Sequence, residues 1–173
     1  SLKEKDTKHD HIIFFLNKKY KLVYNDVRKF GFIKLYKSQN IYKCDHLKSL
    51  GPEPLTKKFN ISYINNYLLN KKVTIKNLLM DQKFVSGLGN IYVNEILFFS
   101  KVRPTRKISK LTDINIKKIL NNTKKIIKQA IKLGGTSIKN FTSSSGKTGI
   151  FQQYFSIYGK KENDCSNNNC NNN

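Results

Sequence analysis

Acidic residues are scarce in this chain: 11 Asp plus Glu stand against 33 Lys plus Arg over 173 residues, a net charge of +22. Such an imbalance suits a polyanionic partner better than a small phosphate cofactor. Arginine is scarce too, being confined to Arg28, Arg103 and Arg106, while Asn and Ile abound. That is the composition of an AT-rich genome, so part of the positive charge is background. The three cysteines, Cys44, Cys165 and Cys170, are odd in number and give no disulfide framework, which fits a reducing compartment. Cys44 reads as a small core or surface residue. There is no run of about 18 apolar residues able to span a bilayer and no charged-then-apolar leader; the expectation is a soluble, cytoplasmic protein with no membrane partner. Hydrophobic residues at 38% and aromatics at 12% are enough to bury a core in one ordinary domain or two small ones.

The first third has strand character. His11 to Leu16 is nearly continuous apolar sequence, Asn17-Lys18-Lys19 makes a turn, and Tyr20–Tyr24 and Phe30–Tyr36 are rich in β-formers, so an antiparallel sheet is predicted. Gly51-Pro52-Glu53-Pro54 breaks the pattern and marks a domain boundary. Helical periodicity follows. Asn60 caps a helix carrying Ile61, Ile64, Tyr67 and Leu68, and a second runs from Asn90 to Ser100 with Pro104 beyond it. The longest helix starts after Thr112, builds its apolar side from Ile116, Ile119, Leu120, Ile126, Ile127, Ala130 and Ile131, and ends at Gly134-Gly135. Lys117, Lys118, Lys124, Lys125 and Lys128 crowd its other side, and read as a solvated face.

The most informative stretch is Lys76 to Leu97: an apolar helical segment, the turn Gly87-Leu88-Gly89-Asn90, and a helix beginning at Asn90 and Ile91. Glycines at 87 and 89 permit positive φ and close approach of the backbone to a ligand. The helix start behind them offers unpaired N–H groups and a positive dipole end, the combination that binds phosphate.

These residues resemble the helix-two-turns-helix element of the formamidopyrimidine-DNA glycosylase family, base-excision enzymes that remove oxidised purines and nick the abasic site. The resemblance extends in order through Lys8-His9-Asp10-His11, Asp26-Val27-Arg28-Lys29-Phe30-Gly31, Leu50-Gly51-Pro52-Glu53-Pro54-Leu55, Gly134-Gly135-Thr136, Gly146-Lys147-Thr148-Gly149-Ile150-Phe151 and Tyr158-Gly159. It implies an α+β fold: part of an antiparallel β-sandwich over 1–52, a helix-two-turns-helix DNA-binding domain over 53–150, and the start of a zinc-finger hairpin over 151–173. It also implies a monomer whose partner is damaged double-stranded DNA.

The resemblance assigns roles to residues that are ambiguous by themselves. Asn90, with the amides at Gly87 and Gly89, would bind phosphate, where a lone Gly-Asn pair would read as an ordinary helix cap. The lysine matching Lys76 lies near the lesion in the family, and the carboxylate matching Glu95 lies near the reaction centre in a supporting role; alone they read as a surface lysine and an exposed helix residue. Arg28 would address the cytosine left behind by base extrusion while Phe30 wedges into the stack; on spacing alone they read as a surface charge and the start of a core strand. The Thr142–Gly149 loop, with Lys147, would close over a flipped 8-oxoguanine, which favours the purine branch over the endonuclease VIII branch for oxidised pyrimidines.

Cys165 and Cys170 match half of the family's zinc finger, in C-x4-C spacing. A structural zinc ion takes four ligands, so zinc is expected in the intact family member and not in this chain alone. The nucleophile implied by the resemblance is an N-terminal proline amine attacking the sugar C1′. It would lie upstream of Ser1, so the intact protein is expected to be a bifunctional glycosylase and lyase, and this chain a weak DNA binder. A non-catalytic nucleic-acid-binding module, or an inactive paralogue, is the alternative.

Overall fold

The computed structural model of the chain describes residues 5–16, 18–69, 71–136, 149–161, 163 and 165. They fall into two compact units, Ser1–Ile41 and Tyr42–Asn173.

In the first unit, β1 (Asp10–Phe15) pairs antiparallel with β2 (Lys21–Asn25), Ile13 opposite Val23, with an irregularity between Asp10 and Ile12. The expected third strand does not form: residues 30–36 are extended but join no sheet among the described residues. β-propensity alone does not make a strand, because its stabilisation comes from a hydrogen-bonded neighbour and a face to pack against. Leu35, 98% exposed, has no such face.

The second unit holds the core. A 3-10 turn (Ser38–Lys43) leads into it and the short α1 (Asp45–Lys48) follows. Gly51 N–H donates to Gln82 O at 2.8 Å and Ser86 N–H to Pro52 O at 3.1 Å, so the Gly51–Pro52 segment lies along the 82–86 turn. α2 (Ile61–Leu68) starts where Asn60 Oδ1 accepts the Tyr63 N–H at 2.9 Å, the cap anticipated from the sequence. Phe59, Tyr63 and Tyr67 of this region gather around Phe84 with ring centroids 4.8–5.9 Å away. The Tyr63 hydroxyl donates to the Phe84 carbonyl at 2.8 Å. Phe59 and Phe84 are almost wholly buried, and truncating either to alanine costs about 3–5 kcal/mol.

α3 (Ile75–Met80) is capped by the Thr74 hydroxyl and buries Ile75, Leu78 and Leu79. α4 (Asn90–Ser100) begins at the residue expected, and ends when Lys101 turns into the left-handed region (φ 56°), its N–H reaching Leu97 O and Phe98 O. Pro104 lies beyond a stop already made. α5 (Asp113–Lys132) opens on a capping box between Thr112 and Asn115. Five of its seven anticipated apolar positions are buried and Ile127 is half-buried. Ile131, in the last turn, is exposed instead. Gly134 (φ 74°) and Gly135 (φ 82°) terminate the helix as expected, the Gly135 N–H returning to Ala130 O at 2.8 Å.

After residue 149 the chain makes a single antiparallel bridge, Thr136 to Ile150, followed by a 3-10 turn, Phe151–Tyr154. No helix among the described residues is long and apolar enough to cross a membrane.

Candidate nucleic-acid interface

Between α3 and α4 the chain makes a turn with two different sides. Phe84, Val85 and Leu88 point inward and are buried, whereas Gly87, Gly89 and Asn90 are exposed. The turn is held by its own side chains. Asp81 Oδ1 accepts the Lys83 N–H at 2.9 Å. The Gln82 carboxamide bridges the turn, Oε1 accepting from Gly87 N–H at 2.8 Å and Nε2 donating to Leu88 O at 2.8 Å. Gln82 was not singled out by the sequence, although a long amide side chain inside a glycine turn was the available signal.

The two glycines are not equivalent. Gly87 has φ 85°, where a side chain is strained. Gly89 has φ −119° and ψ 178°, ordinary extended backbone, which corrects the expectation of positive φ at both. A Cβ at Gly89 would meet nothing within 4 Å. As the N-cap of α4 it gives no side-chain hydrogen bond, and Ser, Asp or Asn would stabilise the helix by a few tenths of a kcal/mol more. Neither backbone strain nor internal crowding therefore explains glycine at 89. The first N–H groups of α4 have no intrahelical acceptor, and beside them stands the exposed side chain of Asn90, 3.5 Å from Asn94 Nδ2.

Lys76 lies in the first turn of α3, half-buried, its backbone N–H on Pro104 O at 3.2 Å. No carboxylate pairs with its ammonium group among the described residues. An open groove beside the turn is lined by Gly87, Tyr92, Ile127, Ile131, Gly134 and Gly135.

Glu95 is not an exposed helix residue. It is 2% exposed, and its carboxylate accepts three backbone N–H groups: Ser156 at 2.8 Å on Oε2, Ile157 at 3.0 Å and Tyr158 at 2.9 Å on Oε1. It fastens the segment after the 3-10 turn to α4. Tyr92, one turn earlier, contacts Thr136 Oγ1 at 3.4 Å and stacks on Phe151 with centroids 5.8 Å apart. Both flanks of the 137–148 stretch are thus tied to α4; Lys147 itself lies outside the described residues.

In the first unit the structure brings Arg28 and Phe30 together, with the guanidinium carbon 4.5 Å from the ring centroid. Phe30 is 77% exposed, so it does not begin a core strand. The loop beneath is tied by Asp26, whose Oδ1 accepts the N–H groups of Arg28 and Lys29, each at 3.0 Å, and whose Oδ2 accepts that of Gly31 at 2.7 Å. The Gly31 N–H, with those of Arg28 and Lys29, holds the Asp26 carboxyl below its ordinary value against the opposing effect of burial. Lys29 sits at φ 55°.

Cys165 is half-buried with a free thiol, and Cys170 lies outside the described residues. Among the described residues no three of His, Cys, Asp or Glu come together as a metal ion requires, so they do not fit a four-ligand zinc site.

Comparison with known proteins bears on all of these features. Residues 50–142 match the family described as "Formamidopyrimidine-DNA glycosylase H2TH domain". Formamidopyrimidine-DNA glycosylases of Rickettsia felis and Listeria monocytogenes are 36% and 40% identical over 92% and 94% of this chain. The chain spans 58% and 60% of their lengths. Among solved structures, a Lactococcus lactis Fpg mutant in complex with a Fapy-dG-containing DNA superposes with a TM-score of 0.88 at 34% identity, covering 96% of this chain and 61% of that one. MutM (Fpg) from Thermus thermophilus gives 0.84 at 27% identity, over 94% and 62%. The α+β architecture, a two-stranded antiparallel sheet with a helical H2TH region, is thereby shared, and the chain belongs to the formamidopyrimidine-DNA glycosylase H2TH-domain family.

Proposed function

We propose that the chain is the DNA-holding part of a base-excision repair enzyme that removes oxidised purines such as 8-oxoguanine and formamidopyrimidines and cleaves the abasic site. Its partner is damaged double-stranded DNA, which places the protein, as a monomer, in the cytoplasm with the chromosome. The observation that carries this reading is Gly89: glycine stands at an exposed helix start where neither backbone strain nor crowding among the described residues requires it. A phosphate drawn against the α4 N-terminus by its N–H groups would favour glycine there, by leaving no room for a side chain. Asn90 and Lys76 add a neutral donor and a cation around it, and the net charge of +22 supplies the long-range attraction.

The named relatives and the Fapy-dG complex of the Lactococcus lactis structure favour oxidised purine as the lesion. Gly89, Asn90 and Lys76 hold the backbone, while Gly87, its N–H taken by Gln82 Oε1 at 2.8 Å, shapes the turn; Arg28 and Phe30 fill the space an extruded base leaves. By the resemblance, the Thr142–Gly149 loop with Lys147 would close over the lesion. The sugar chemistry, assigned by resemblance to an N-terminal proline amine, belongs to the longer protein, as does a structural zinc ion on Cys165 and Cys170 with two further ligands. We assign residues 1–52, 53–150 and 151–173 to the sheet domain, the H2TH domain and the hairpin start.

Substituting Gly89 tests this directly. G89V stays folded, because φ there suits any residue and a Cβ has room, at a cost of about 1 kcal/mol for a poorer N-cap, yet weakens duplex binding about tenfold or more, as loss of charge-assisted backbone hydrogen bonds to phosphate requires. Wild-type binding by a folded G89V would remove the basis of the reading.

A further inference from the structure

Asp26 stands outside every role assigned so far, yet its carboxylate organises the Arg28–Phe30 loop. Its main chain is fixed at the end of the hairpin: its N–H donates to His9 O at 3.1 Å, and its carbonyl meets His11 Nε2 at 2.9 Å. The carboxylate then reaches forward. Oδ1 takes two consecutive amides, Oδ2 takes the Gly31 amide, and the Tyr24 hydroxyl adds a fourth donor to Oδ2 at 3.3 Å. Four donors converging on two oxygens of one carboxylate bias the loop toward a single shape, because their bonds form or break together.

The shape so imposed is specific. Lys29 is driven into the left-handed region, where a non-glycine residue costs about 1 kcal/mol or more. Glycine at 31 leaves room for the Tyr24 hydroxyl, which a Cβ there would force to move. The result is that Arg28 and Phe30, two residues apart, project together into solvent with the guanidinium over the ring. An exposed aromatic held in place by its neighbours has paid its ordering entropy before any partner arrives.

We propose that Asp26 is a positioning residue that preshapes the Arg28–Phe30 pair, so that the loop reads the base opposite an extruded nucleotide. The proposal rests on the wedge role given to Arg28 and Phe30 above. Asp26 touches no DNA; it acts by fixing where the guanidinium stands, and a guanidinium discriminates between bases only when its donors are held in register with the base edge.

The test uses the full-length protein carrying these residues and measures affinity for three duplexes: undamaged, and with a tetrahydrofuran abasic-site analogue opposite cytosine or opposite adenine. D26A is expected to shrink the cytosine-over-adenine preference by about tenfold, the order of one well-placed guanidinium contact. Affinity for undamaged duplex should stay within about twofold, because phosphate contacts carry no base preference. D26N keeps an acceptor at Oδ1 but presents an amide group to Gly31 N–H, and should fall between wild type and D26A. R28A is the reference, losing the preference whatever Asp26 does. If R28A loses the preference and D26A and D26N keep it, the role of Asp26 is overturned. If D26A weakens all three duplexes equally, Asp26 merely maintains the fold and the proposal is likewise overturned. If R28A itself keeps the preference, the wedge reading fails, and this proposal with it.

Discussion

The Gln82 side chain closes the α3–α4 turn onto Gly87, accepting the Gly87 N–H at 2.8 Å while its amide group donates to Leu88 O at the same distance. Gly87 is strained for any residue with a side chain, so the turn depends on this bridge to hold the outward-facing amides in one arrangement. Q82A is expected to cost about 1 kcal/mol of stability and to weaken duplex binding by more than the loss of stability accounts for. Urea denaturation paired with a binding isotherm separates the two effects. Equal DNA affinity in Q82A would show that the bridge does not shape the contact surface.

Glu95 is assigned here to holding the 156–158 segment. E95A leaves three backbone N–H groups without their acceptor in a partly buried place, and is expected to lose about 2 kcal/mol or more. E95Q keeps the shape and loses the charge, and should fall between. Chemical denaturation of both variants checks the order; a fully stable E95A would contradict the latch.

Asp26 gives the loop a pH dependence whose sign is set by its lowered carboxyl value. A carboxyl lowered on folding stabilises above its ordinary value of 3.8, and that contribution drains away as pH falls through the lower folded value. The groups facing it are the Tyr24 hydroxyl, through a hydrogen bond, and the His11 ring, through the Asp26 carbonyl. The Arg28, Lys29 and Gly31 amide resonances are therefore expected to hold their positions from neutral pH down to about pH 5 and to move together below the ordinary carboxylate range. Movement centred well above the carboxylate range would contradict the assignment to Asp26.

Gly31 and Tyr24 form a steric pair. G31A alone should disorder the loop, since the added methyl collides with the Tyr24 hydroxyl. G31A combined with Y24F removes the colliding oxygen and should recover part of the loss. A double-mutant cycle on the cytosine-over-adenine preference reads this coupling, and strict additivity would deny it.

Much of this was legible in the sequence where the determinant is local. Asn60 and Thr112 sit as caps one residue before periodic apolar runs, and the structure starts α2 and α5 there. The Gly87–Asn90 turn was legible for the same reason, short spacing with special backbone needs. What depends on distant partners was not. Nothing near Glu95 announces that its acceptors face amides 61–63 residues onward, and a Glu in the middle of a helix reads as exposed by default. Phe30–Tyr36 has strand composition, but composition does not supply the hydrogen-bonded neighbour a strand needs. Asp26 lay between, since Asp opening a turn is a familiar local acceptor, yet its reach to Gly31 required coordinates.

The most direct test of the central claim, that the Gly87–Asn90 turn clasps a nucleic-acid strand, is an amide-resolved NMR titration of the protein with a short DNA duplex. The account expects the largest shifts at the amides of Gly87, Leu88, Gly89, Asn90 and Ile91, fading as salt is raised. Binding that leaves these five amides unmoved while others shift would contradict it.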